Sequence, residues 1–197
     1  MRLRSIIKND SVVEDQTHKC NALCETESLT KAAPQGAAFV WYYCCMKESF
    51  VVKEGELGEM ARKIVNTLAS SSHGKAKVLF LEGDLGAGKT TFTKELAGVL
   101  GITKDDVHSP TFILKKEYKS NHPSFKKLVH IDAYRFDSPE EAKVLKLTSD
   151  VEEEGSLVVI EWPSKLGALV DEDMTIAFSV IDEDTREVAI NYANVRF

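Results

Sequence analysis

The chain is short of the features that would mark a secreted, membrane-spanning or nucleic-acid-coating protein. Its four cysteines, Cys20, Cys24, Cys44 and Cys45, all fall within the first 45 of 197 residues. The remainder therefore needs no disulfide, and free thiols in a reducing compartment are the plain reading. A zinc site on Cys20-x-x-x-Cys24 and the adjacent pair 44–45 would match no common finger or ribbon spacing. No apolar run approaches the roughly 20 residues of a membrane-spanning helix, and the polar start Met1-Arg2-Leu3-Arg4 leads into no apolar leader. A cytoplasmic protein without a membrane partner is expected. A net positive charge is lacking too. The formal net charge of −6 argues against DNA binding by the molecule as a whole, and any RNA would be presented by a partner. Only Arg135, Arg186 and Arg196 follow residue 90, and no N-K-x-D stretch is present for guanine.

Against these absences stands one dense motif. Gly83-Asp84-Leu85-Gly86-Ala87-Gly88-Lys89-Thr90 follows the apolar run Val78-Leu79-Phe80-Leu81 directly. Its spacing, G-x-x-x-x-G-K-[ST], describes a phosphate-binding loop. Glycines let successive backbone N–H groups turn inward on phosphate oxygens, and the helix that follows adds its positive end. Lys89 would reach the β- and γ-phosphates, and Thr90 would offer its hydroxyl to Mg²⁺. The context agrees, because Thr91 to Leu100 carries apolar residues at 92, 96, 99 and 100 on one helical face. The alternative is a glycine-rich turn with an incidental lysine.

Residues 1–45 show neither helical nor strand periodicity and read as a poorly ordered extension, with residues 46–197 as the nucleotide-binding domain. Met46 opens a segment that looks like a natural start. Apolar residues at 57, 60, 61, 64, 65 and 68 form a helical stripe. Leu128-Val129-His130-Ile131-Asp132 and Leu157-Val158-Val159-Ile160-Glu161 are buried runs, each ending in an acid. A strand is expected to run toward Tyr118 after Phe112-Ile113-Leu114. Ser138-Pro139-Glu140-Glu141 reads as a capping-box start for a helix through about Lys146. Glu152 to Glu154 reads as a solvated loop. Residues 174–181 and 187–192 flank Asp182-Glu183-Asp184-Thr185 as a hairpin. Together these give an α/β, P-loop NTPase-like three-layer sheet with a C-terminal antiparallel hairpin.

Acids at the carboxyl ends of buried strands point at the ligand in such sheets, which makes Asp132 and Glu161 candidates for the cation or the attacking water. The alternative is that either acid only caps its strand. Thr111 lies where a hydroxyl can meet Mg²⁺ or the γ-phosphate, or merely starts a strand. His130 reads better as a packed or hydrogen-bonded core residue. Arg135 either balances phosphate charge or pairs with a surface acid. Lys115, Lys116, Lys119, Lys126 and Lys127 form the basic concentration of the chain, which is a solvated face or a contact for RNA phosphates.

Taken in order, GDLGAGKTT (Gly83 to Thr91), SPTF (Ser109 to Phe112), HIDAYR (His130 to Arg135) and VIEWP (Val159 to Pro163) resemble the TsaE family, also called YjeE. The resemblance runs from about Met46 to Tyr192. It implies an ATPase of tRNA threonylcarbamoyladenosine synthesis that works with TsaB and TsaD and touches tRNA through that complex. Its ATP hydrolysis would reset the complex between turnovers. On that resemblance Thr90 and Glu161 would ligate Mg²⁺, Lys89 would hold phosphate and Asp132 would support hydrolysis. Trp162 would lie close to the nucleotide, and Arg186 near the base. Residues 1–45 depart from the family pattern.

Two other classes share the same loop. A small-molecule kinase usually recruits several arginines to shield the transferred phosphate, and this chain has few. A nucleotide-gated binding module with negligible turnover would have less use for both Asp132 and Glu161.

Overall fold

Side chains alternate faces along a strand, so two apolar sets two residues apart commit a strand to burial on both sides. The runs at 78–81, 128–131 and 157–160 do this, and the fold is built around them. The computed structural model describes residues 47–71, 74–138, 141 and 145–193. In chain order its elements are β1 (Lys47–Lys53), α1 (Leu57–Ser70), β2 (Lys77–Gly83), α2 (Lys89–Val99), β3 (Lys115–Lys119), β4 (Lys127–Asp132), α3 (Leu147–Glu152), β5 (Ser156–Glu161), β6 (Met174–Val180) and β7 (Thr185–Tyr192). Among the described residues the strands form a seven-stranded sheet in the order β1-β7-β6-β2-β5-β4-β3. The four central strands β6, β2, β5 and β4 run parallel. Antiparallel strands close both sides, β7 and β1 on one and β3 on the other.

The two faces are covered separately, which makes the fold three-layered. On one face α1 buries Leu57, Met60, Ala61, Ile64, Val65 and Leu68, the stripe expected from spacing. It packs with Phe92, Leu96 and Leu100 against Leu79, Leu81, Leu128, Leu157 and Val159. On the opposite face Val78, Val129, Ile131, Val158 and Ile160 lie under Phe136, Leu147, Leu166 and Val170. The alternation is strict along β4 and β5. Consequently the even-numbered residues of β4, Leu128, His130 and Asp132, belong to the α2 side of the sheet.

Several local readings change. The segment from Met46, read only as a start, forms edge strand β1, because Phe50 and Val52 register against Val188 and Arg186. The strand expected after residues 112–114 is β3, and those residues themselves form a turn: Pro110 O accepts the Ile113 and Leu114 N–H groups, and Leu114 is left-handed at φ 65°. Phe112 and Ile113 are thereby turned outward and exposed. The acidic stretch is not simply loop. Glu152 ends α3 and pairs with Lys75, while Glu153 pairs with Lys127.

The basic cluster is partly neutralised, through Lys115 and Lys127. Lys115 bonds both oxygens of the buried Asp150 carboxylate at 3.0 and 2.8 Å and also meets Glu117 at 3.0 Å, and Lys127 adds a contact to Glu117 at 3.4 Å. Lys116 and Lys126 donate to the carbonyls of Asp106 and His122. These partners hold the lysines along β3 and β4, which weakens the RNA-contact reading. The expected extension at 1–45, its cysteines, Arg196 and most of the helix expected after Ser138 lie outside the described residues.

The junction between β2 and α2 is set by sterics. Gly83 has φ +133°, and a Cβ there would stand 2.4 Å from the Phe178 carbonyl oxygen. Gly86 has φ +78° with nothing within 4 Å of such a Cβ. Gly83→Ala adds a backbone clash to conformational strain and should cost about 3 kcal/mol or more. Gly86→Ala should cost about 1–2 kcal/mol, the strain alone. Urea unfolding midpoints of the two variants check this ordering, and equal losses would contradict it.

Candidate functional site

Strand register brings the site together. Leu81 of β2 lies opposite Glu161 of β5, and Glu161 lies opposite Asp132 of β4, so three strand ends finish abreast. Two residues beyond Leu81 the chain enters the 83–90 loop. Its left-handed residues Gly83, Gly86 and Gly88 reverse it sharply, Ala87 N–H donates to Asp84 O at 3.1 Å, and Gly88 caps α2 at φ 108°. The helix N-terminus therefore points its free amides at the ends of β4 and β5.

A cleft of about 300 Å³ opens there. Leu85, Gly86, Gly88, Lys89, Thr90 and Thr91 line one side, and Thr111, Asp132, Glu161 and Trp162 are among the lining opposite. Lys89 is almost wholly buried. Its ammonium donates to Gly83 O at 2.7 Å and Asp84 O at 2.8 Å and lies 4.1 Å from the Trp162 ring centroid. Burial pushes its pKa below the ordinary lysine value, while Glu161, Asp132 and Asp84 pull the other way. A cation held under a net desolvation penalty gains when an anion enters beside it.

The two acids are differently furnished. Glu161 Oε1 accepts the Thr90 hydroxyl at 2.9 Å and lies 2.9 Å from His130 Nε2. Asp132 Oδ2 accepts Ser109 at 2.8 Å and Thr111 at 2.5 Å, and its Oδ1 accepts Tyr134 N–H at 3.1 Å. Both acids are buried. Trp162 follows Glu161 in a left-handed conformation at φ 59°, with its N–H on Leu81 O at 3.2 Å and its ring 5.1 Å from that of Tyr134. This unusual backbone ties β5 back to β2 and turns the indole over Lys89.

The residues present suit a magnesium nucleotide. Mg²⁺ prefers octahedral oxygen coordination at about 2.0–2.1 Å, so adjacent ligands stand about 2.9 Å apart. The Thr90 hydroxyl is hydrogen-bonded to Glu161 Oε1 at 2.9 Å, which brings a hydroxyl and a carboxylate, both hard oxygen donors, within reach of one cation. The open side of Gly86 and Gly88, where no heavy atom comes within 4 Å of an added Cβ, leaves room for phosphate against the amides.

Not every expected residue enters the cleft. The Arg186 guanidinium sits behind the loop, donating to Ala87 O at 3.1 Å and to carbonyls of its own turn at Asp182, Glu183 and Thr185. Arg135 lies 4.4 Å over the Phe112 ring. Gly83, Asp84 and Ala87 shape the loop from outside the lining. Two participants were not singled out by residue type: Ser109 and Tyr134 line the cleft. His130, expected as a packed or hydrogen-bonded core residue, is buried and bonded to Glu161. Period-two spacing offered the signal, since Ser109 precedes Thr111, and His130 precedes Asp132, by two residues.

Comparison with known proteins agrees with this geometry. The family model described as "Threonylcarbamoyl adenosine biosynthesis protein TsaE" matches residues 51–188. The tRNA threonylcarbamoyladenosine biosynthesis protein TsaE of Bacillus subtilis (strain 168) is 36% identical over 136 residues, 68% of this chain and 82% of that protein. Its namesake from Aquifex aeolicus (strain VF5) is 34% identical over 146 residues, 74% of this chain and 96% of that protein. The crystal structure of Bacillus subtilis YdiB superposes with a TM-score of 0.56 at 29% identity, covering 76% of this chain and 87% of that one. The match takes in the loop at 83–90, both strand-end acids and the sheet that aligns them, and the chain belongs to the TsaE family.

Proposed function

We propose that this chain binds ATP with Mg²⁺ in the cleft and hydrolyses it in the cytoplasm, serving the TsaB–TsaD proteins that place threonylcarbamoyl on the tRNA adenosine next to the anticodon. Hydrolysis would reset that complex, and tRNA would be met through it. The observation that carries the reading is the Thr90–Glu161 oxygen pair at 2.9 Å beside a glycine-lined loop and a buried lysine.

Each residue has a task that its surroundings support. The amides at the start of α2 bind phosphate oxygens, and Lys89 exchanges its carbonyl partners for them. Thr90 and Glu161 would hold the cation, which would supply positive charge against the phosphates. Asp132 has three of its roughly four lone-pair positions occupied, leaving one on Oδ1 to accept a proton from an attacking water. Ser109 and Thr111 fix that carboxylate, and Trp162 with Tyr134 keeps solvent from the lysine side. Arg186 braces the loop through Ala87 O.

Lys89→Met removes a cation that burial disfavours. Its pKa is lowered in the folded chain, so the charged form costs stability in full at pH values below that pKa, and the cost fades as pH rises from there toward the ordinary lysine value of 10.5. The variant should therefore melt higher than the parent without nucleotide at pH 7 while losing about 10- to 100-fold in ATP affinity, a charge-assisted contact's share. Calorimetric melting and ATP titration read the two effects; unchanged affinity would remove the loop assignment.

Thr90→Ala and Glu161→Ala should each lower Mg²⁺-dependent ATP turnover about 100-fold while ATP still binds, with TsaB and TsaD stimulating the parent alone. Phosphate release measured with and without those proteins, and with small-molecule phosphate acceptors in parallel, provides the check. Release that depends on an acceptor would point to a kinase instead.

A further inference from the structure

His130 is fully buried on β4, one residue pair from the cleft floor, on the face it shares with Asp132 and Glu161, with the apolar Leu128, Leu157 and Val159 on its other side. Its Nε2 lies 2.9 Å from Glu161 Oε1, the same oxygen that receives Thr90. Its Nδ1 is buried with no hydrogen-bond partner. A purely packing role would be served at lower cost by leucine, which leaves no polar atom unpaired.

We propose that His130 is the positioning residue of the cation site: with a proton on Nε2, it donates to Glu161 Oε1 and fixes that carboxylate against Thr90. The inference rests on the magnesium reading given above. The tautomer follows by elimination. A proton on Nδ1 would sit in the core facing no acceptor, whereas one on Nε2 meets a carboxylate oxygen. Glu161 then has two donors converging on one oxygen, from β4 and from α2. These clamp its orientation from both layers while Oε2 is engaged by neither bond. Because the second donor comes from a strand hydrogen-bonded to β5, its position is as fixed as the sheet. Hydrogen-bond partners of metal-holding carboxylates commonly carry 10- to 100-fold in metal affinity.

The test uses the full chain. Long-range proton–nitrogen correlation of imidazole-labelled protein reads the tautomer directly; a proton on Nε2 is expected, and one on Nδ1 overturns the inference. Calorimetric titration of a non-hydrolysable ATP analogue, in EDTA and in excess Mg²⁺, then gives the gain in affinity due to the metal. His130→Leu should lose about 10-fold of that gain with its affinity in EDTA unchanged. His130→Gln, whose amide nitrogen can replace Nε2, should recover the gain to within about 3-fold. A structural role would lower both affinities together and would not be rescued by glutamine. Should His130→Leu fail to fold, the tautomer and His130→Gln still decide. Glu161→Ala is the reference. If it loses the metal-dependent gain while both His130 variants keep it, the positioning role alone is overturned. If it keeps the gain, the magnesium reading fails and this inference falls with it.

Discussion

The parallel register of β2, β5 and β4 is the constraint on which the rest depends. Leu81, Glu161 and Asp132 end side by side because buried branched residues lock each strand against slipping. A shift of one residue would exchange the two faces of a strand. It would carry Glu161 to the side of Phe136 and Leu166, away from Thr90. The chemistry of the cleft is thus fixed by apolar packing several residues upstream of it. The carboxylates sit at the ends of strands whose other members, Lys127 apart, are buried, so they inherit the rigidity of the core.

That rigidity has an energetic cost concentrated at the site. A buried lysine with a lowered pKa, a left-handed tryptophan, a glycine pressed against Phe178 O and a histidine with an unpaired ring nitrogen all lie within or beside the cleft. None improves the stability of the sheet. Left-handed Leu114 and Lys146 and the unpaired polar atoms of Tyr118, Ser156 and Asn191 belong to residues that do not line the cleft, so what sets the cleft apart is the buried lysine and carboxylates that meet there.

Much of the fold was legible because its signals are local and repeated. The stripe of α1 needed only helical periodicity, and the three buried strands announced themselves by length and branching. The loop at 83–90 carried its own geometry in its glycines. The rest was hidden where outcome depends on partners distant in sequence. Strand β1 exists because β7 offers an edge nearly 140 residues later, as the Ser49 to Glu187 bond shows. The basic run on β3 and β4 looked like a free positive face until Asp150 and Glu153 arrived beside it. His130 resembled any core histidine, since nothing in its neighbours reveals that Glu161 stands one strand away. Arg186 is similar: its sequence position says nothing of its distance to Ala87.

The central claim is that a triphosphate and its cation occupy the ends of β2 and β5 together. A crystal structure of the full chain with a non-hydrolysable ATP analogue and Mg²⁺ tests it most directly. The account predicts phosphate oxygens on the amides of residues 84–90, with the cation beside Thr90 Oγ1 and the Glu161 carboxylate. A nucleotide bound elsewhere, or a cation away from both side chains, would contradict it.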